Sequence, residues 1–194
     1  GVIVDFTQGN DRKVEVIADA DKMQYVKTKV ENGILKVSID RSSNKNMRFK
    51  KLLVNIQNPN LTQLNVDSGS IFKTKNKISD DRLNSQISSG AIVTADFDYQ
   101  NIEIQADSGS LLTLDLLAKD FKLIGDSGII VNAKGKAENV TLKLDSGANC
   151  NAQDLESKNV IVNIDSGAIA KVNATSKLDV EADSGSIVQY KGNP

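Results

Sequence analysis

Asn159-Val160-Ile161-Val162-Asn163-Ile164-Asp165-Ser166-Gly167-Ala168-Ile169-Ala170-Lys171-Val172 is the stretch that decides the fold. Val160, Val162 and Ile164 recur at every second position before an Asp-Ser-Gly triplet. Ala168, Ala170 and Val172 resume the alternation after it. A period of two marks a strand with one buried face, here broken by a corner. The triplet returns along the chain as Asp67-Ser68-Gly69, Ser88-Ser89-Gly90, Asp107-Ser108-Gly109, Asp126-Ser127-Gly128, Asp145-Ser146-Gly147 and Asp183-Ser184-Gly185. Successive glycines are 21, 19, 19, 19, 20 and 18 residues apart. Repetition at a nearly fixed period predicts a solenoid.

Aligned on the first residue of each triplet, the copies form columns. Five before it stand Thr62, Leu83, Ile102, Phe121, Val140, Val160 and Leu178; three before, Leu64, Ser85, Ile104, Leu123, Leu142, Val162 and Val180. One before stand Val66, Ile87, Ala106, Gly125, Leu144, Ile164 and Ala182. Beyond the glycine, the inward positions carry small residues first (Ser70, Ala91, Ser110, Ala148), then Phe72, Val93, Leu112, Val131 and Cys150. The variable remainder of each copy supplies one apolar anchor, read as Ile78, Phe97, Leu116, Ala137, Leu155 and Ala174. The fold class is therefore all-β: a single-stranded parallel β-helix of about seven rungs over residues 61–194. Rungs stacked at ~4.8 Å give a rod of about 34 Å. The general preference of parallel crossovers makes it right-handed.

Residues 1–60 break the period and read as a β-rich capping segment continuous with the solenoid. Val2 to Phe6 and Val14 to Ile17 are strands, and Asp19 to Val26 is the one expected helix, capped by Asp19 or Asp21. Asn32-Gly33 closes a hairpin whose buried face is Leu35, Val37 and Ile39. Arg41 to Lys51 is a polar, basic loop, followed by a strand from Leu52 to Ile56. A solenoid end exposes unpaired backbone, which a cap covers.

The corner glycines Gly69, Gly90, Gly109, Gly128, Gly147, Gly167 and Gly185 suit a positive φ, and Asp and Ser can bond the amides just ahead. A second reading makes Asp107, Asp126, Asp145, Asp165 and Asp183 weak candidates for a bridged Ca²⁺, an oxygen-seeking cation. One carboxylate per rung is few for a tight site, so neither metal nor cofactor is expected. The chain has no histidine, so no serine of the triplet has the usual activating base. Cys150, the one cysteine, has no partner for a disulfide and reads as a buried small hydrophobe.

The 24 basic and 25 acidic residues leave a net charge of -1, which speaks against nucleic acid as a partner. No apolar run reaches the ~18 residues of a membrane-spanning helix.

The opening Val4-Asp5-Phe6-Thr7-Gln8-Gly9 with Val14-Glu15-Val16, the hairpin Val30-Glu31-Asn32-Gly33-Ile34-Leu35-Lys36-Val37, the strand from Lys51 to Ile56 before a proline turn, and the repeated Ser-Gly corners resemble the head GIN domain family of bacterial auto-transporter adhesins. The resemblance spans nearly the whole chain. It implies a place outside the cytoplasm, in the periplasm or at the outer membrane or cell surface. It implies no catalytic residues, and the leader that family members often carry is not among these residues.

Three functions compete. The first is a non-enzymatic adhesin-like module binding a glycan or a surface protein through its solenoid faces. The second is a polysaccharide lyase or hydrolase, for which Lys122 and Lys143 with Glu103 are the acid-base candidates. The third is self-association, a homodimer through the C-terminal end of the solenoid after Tyr190.

Overall fold

A computed structural model describes residues 1–42 and 47–194. The middle of the expected loop from Arg41 to Lys51 lies outside the described residues. The chain is a β-solenoid of stacked parallel coils. Its later rungs are single long strands: β8 (Ile78–Ile87), β9 (Ile92–Ala106), β10 (Leu111–Gly125), β11 (Ile130–Leu144), β12 (Asn149–Ile164), β13 (Ile169–Ala182) and β14 (Ile187–Gly192). With β1 (Ile3–Gln8), β2 (Lys13–Ala18), β5 (Leu52–Asn58) and β7 (Ile71–Thr74), strand order in the main sheet is β14-β13-β12-β11-β10-β9-β7-β1-β5-β2, and β6 (Gln63–Val66) pairs with β8. Each strand pairs with the equivalent residues one copy away, as Leu112 with Val93 and Val131.

The inward columns build the core. Leu83, Leu112, Leu123, Val131, Leu142, Cys150, Leu155 and Val162 are fully buried. The copies of unequal length keep this register through local bulges. Between β11 and β12 the pairing slips after Asn132, and between β12 and β13 it slips after Asn151 and again after Ser157. The Asp-Ser-Gly turns stay aligned throughout. One pair of columns trades volume: where the second and fifth rungs hold Ile87 with Ala91 and Leu144 with Ala148, the fourth holds Gly125 with Ile129, and all six are buried.

The structure corrects three expectations. The anchor column passes from Phe97 and Leu116 through Gly135 to Leu155, whereas Ala137, also buried, pairs with Ala118 and Ser157. Gly135 takes φ +112°, and a Cβ there would sit 2.1 Å from the Leu116 carbonyl oxygen. Thr62 and, in the last rung, Val180, Ala182 and Tyr190 are exposed rather than inward, because among the described residues no strand covers them.

The third correction is the helix. Only a 3-10 turn forms, Met23–Tyr25, with no side-chain cap at its start. The Asp19 carboxylate is instead engaged by the backbone N–H groups of Lys50 (2.8 Å) and Lys51 (3.1 Å) and by Lys22. The β-branched residues Val26, Thr28 and Val30 go into β3 (Val26–Glu31), which pairs antiparallel with β4 (Ile34–Ile39) around the Asn32-Gly33 turn.

The remaining strands of the first sixty residues extend the solenoid sheet. β1 (Ile3–Gln8) runs parallel to β7 on one edge and to β5 (Leu52–Asn58) on the other, and β2 (Lys13–Ala18) closes antiparallel on β5. A second small core of Val2, Leu52 and Val54, with Val37, Ile39 and Phe49 against it, lies beneath the β3–β4 hairpin.

Candidate functional site

Two features of each rung carry polar chemistry: the Asp-Ser-Gly turn and the bend opposite it. At the turns, all seven glycines have positive φ, between +66° and +75°. The serine before each glycine also lies in the left-handed region, at φ 49–55°. In six copies the residue after the glycine donates its N–H to the first residue of the triplet, as Ser186 does to Asp183 at 3.0 Å. Two successive positive φ values inside such a bond define a type I′ turn. From the sequence, positive φ is expected at the glycine alone, since a serine there costs about 1–2 kcal/mol.

Hydrogen bonds offset that cost. The first six of these glycines each donate their N–H to the serine carbonyl of the next rung, as Gly147 to Ser166 at 3.1 Å. The carboxylates of Asp126, Asp145, Asp165 and Asp183 accept from the amide of their own serine at 2.5–2.6 Å. The Ser146 and Ser184 hydroxyls reach back one rung to Asp126 and Asp165; this, then the local amide, holds both carboxyls below their ordinary value. The candidate cation ligands are thus spread one to a rung along the stack. Among the described residues no three His, Cys, Asp or Glu side chains are grouped to hold a metal ion. Cys150 is fully buried, and burial pushes its thiol up to about 12.

A pH dependence follows. In the unfolded chain Asp126 and Asp165 titrate near the ordinary 3.8; folded, they titrate lower. Their contribution to stability is complete above the unfolded value and is lost as pH falls through the folded one. The thermal midpoint is expected to hold from neutrality to roughly pH 4 and then fall. A variant carrying Asp126→Asn and Asp165→Asn should show a shallower acid limb. The limb will not vanish, because Asp19, Glu31 and Asp40 are lowered as well. An acid limb identical to the parent's would remove the turn carboxylates from this role.

At the second bend the alternation slips by one residue, and a polar column emerges that the sequence reading missed. Arg82, Asn101, Asp120, Asn139 and Asn159 stand in register on successive rungs. Asn139 donates to Asp120 at 2.7 Å, and Asn159 to Asn139 at 2.9 Å. The outward residues two positions on are Asn84, Glu103, Lys122 and Thr141, and Lys122 meets Glu103 at 3.3 Å. Between the two columns runs a groove of about 280 Å³; Leu83, Ile102 and Phe121, which stand between the columns, turn their side chains into the core and are buried. Arg82 lines one end of it, exposed, with no ion pair or hydrogen bond among the described residues. Lys143 lies off the groove, on the next outward column beside Ile124. Of the acid-base candidates, the structure therefore joins Glu103 and Lys122, leaves Lys143 apart and brings in Arg82. The signal available in the sequence is the run of Asn and Asp six residues before four consecutive triplets, Asn101, Asp120, Asn139 and Asn159.

This is the architecture of a non-globular β-solenoid whose chemistry lies in ladders along its edges rather than in a pocket. The chain belongs to the family described as putative auto-transporter adhesin, head GIN domain, whose profile matches residues 1–194. Solved structures share the fold. A protein of Parabacteroides distasonis titled "putative lipid binding protein" superposes with a TM-score of 0.91 at 17% identity, covering 100% of this chain and 82% of that one. A putative adhesin of the same species gives 0.84 at 16% identity, covering 98% and 87%, and one of Parabacteroides merdae gives 0.84 at 14%, covering 98% and 89%. No curated protein matches the chain. No helix among the described residues is long and apolar enough to cross a membrane.

Proposed function

We propose that this chain is a non-enzymatic, adhesin-like module that works outside the cytoplasm and holds a glycan in the groove at its second bend. The observation that carries this reading is the Asn139–Asp120 and Asn159–Asn139 ladder facing the Lys122–Glu103 pair across the groove. Sugar hydroxyls need donors and acceptors at fixed spacing, which a ladder repeating once per rung supplies. The unpartnered Arg82 adds a site for a carboxylate on the sugar. The family description supports a surface role. In this proposal residues 1–60 act as the cap of the solenoid, and residues 61–194 form the binding array.

The test is a glycan array with the whole chain, repeated with Arg82→Ala and Asn139→Ala. Binding that weakens by about tenfold in each, with unchanged far-UV circular dichroism, supports the groove; each lost charged or neutral hydrogen bond is worth roughly 1–3 kcal/mol. Because Arg82, Lys122 and Glu103 share the groove, a lyase is the second reading. Unsaturated ends appearing on uronate polymers would favour it over simple binding.

Self-association at the C-terminal end is proposed on separate grounds. There Val180 is 42% and Tyr190 60% exposed, although both belong to inward columns, and the outer edge of β14 is unpaired. Light scattering at high concentration that gives a monomer mass would remove this dimer.

A further inference from the structure

One outward column is aliphatic, not polar. Ile3, Ile71, Ile92, Leu111, Ile130, Asn149, Ile169 and Ile187 pair successively from β1 to β14. Ile130 is 50% and Ile187 49% exposed, and the stripe is broken only at Asn149. It follows the Asp-Ser-Gly turns by one inward residue, so the turn carboxylates run along one side of it. Asp67, Asp107, Asp126, Asp145, Asp165 and Asp183 form no ion pair, so this rail of charge is unneutralised among the described residues. On the other side, Lys75 and Lys134 are matched by Asp5 and Asp115, while Lys73 and Lys171, two residues past Ile71 and Ile169, form no ion pair among the described residues and stand far apart as single charges.

We infer that this face docks a cationic amphipathic α-helix of a partner protein. An aliphatic ridge beside a row of carboxylates that are hydrogen-bonded within their turns but carry no counter-charge is complementary to a helix with an apolar stripe flanked by Lys or Arg. Spacing selects the helix. Its turns repeat every ~5.4 Å against ~4.8 Å for the rungs, a drift of about 0.6 Å per turn, so roughly four turns stay within half a rung. A strand crossing the rungs would present same-face residues every ~6.7 Å and lose step almost at once. A second copy of this chain offers the same acidic rail and no free basic row, and an anionic lipid surface would be repelled by it.

The probe is a labelled 16-residue helical peptide with one leucine per turn and lysines along one flank, followed by fluorescence anisotropy against the whole chain. A control peptide has glutamate at every lysine. The lysine peptide should bind, weaken several-fold when ionic strength rises from about 0.05 to 0.3 M, and bind at least tenfold more weakly to a Leu111→Thr, Ile130→Thr variant. Threonine suits an exposed strand, so that variant keeps the fold. Asp126→Asn with Asp145→Asn should also weaken it, while Arg82→Ala, in the glycan groove, should not. No binding, equal binding of the glutamate peptide, or indifference to the threonine variant would overturn the inference. So would a threonine variant that changes only the mass by light scattering, or only flotation with phosphatidylglycerol vesicles, which would assign the face to a second copy or to lipid.

Discussion

Replacing Gly135 by alanine is expected to destabilise the solenoid by at least about 3 kcal/mol. Two costs act together. At φ +112° the backbone lies where an L side chain is strained. The added Cβ would also stand 2.1 Å from the carbonyl oxygen of Leu116, and 3.0 Å from that residue's nitrogen. These are backbone atoms held in a ladder, so no rotamer change relieves the contact. The corner glycines behave differently. A Cβ on Gly147 meets nothing within 4 Å, so Gly147→Ala pays only the conformational cost, about 1–2 kcal/mol. Urea unfolding of the two variants should separate them clearly. Equal losses would mean that the 116–135 contact yields by sliding the rungs apart.

The second large effect is a coupling. A Cβ on Gly125 would approach Ile129 Cδ1 to 2.4 Å and Leu144 Cδ2 to 2.9 Å. Gly125→Leu alone overfills the corner, costing about 1–3 kcal/mol or more. Ile129→Ala alone leaves a void beside a glycine, costing about 2–5 kcal/mol. Made together, the substitutions reproduce the Leu144 and Ala148 arrangement of the next rung. The double variant should return to within about 1.5 kcal/mol of the parent, a coupling of roughly 3 kcal/mol in a double-mutant cycle. Additive losses would show that rung four is shaped by its backbone and not by this exchange of volume.

The same exchange shows why so much of the fold could be read in advance. Inward positions alternate with period two, and alternation is local. Val160, Val162 and Ile164 declare their face without reference to anything distant. The turn triplet, too, is a local signal. What could not be read depended on partners far away in the chain. Asp19 looked like a helix cap because nothing nearby hinted that the amides of Lys50 and Lys51 would take its carboxylate. The parallel pairing of Ile3 with Ile71 rests on contacts across the whole opening segment. The Asn–Asp ladder escaped because it sits at the slip between two alternations, where a residue belongs to neither face. The anchor at Gly135 escaped because apolar character was sought, while the backbone there requires the absence of a side chain. Both edges proposed as binding sites are therefore products of register, visible only once the rungs are stacked.

The bulges near Gln153 and Lys158 carry a practical meaning. One long edge of the rod works as a ruler whose marks do not shift, while the opposite edge tolerates edits in length. A peptide tag or reporter loop spliced in at Gln153 should leave every turn from Gly69 to Gly185 in its place, so new surface can be written on one side without disturbing the other.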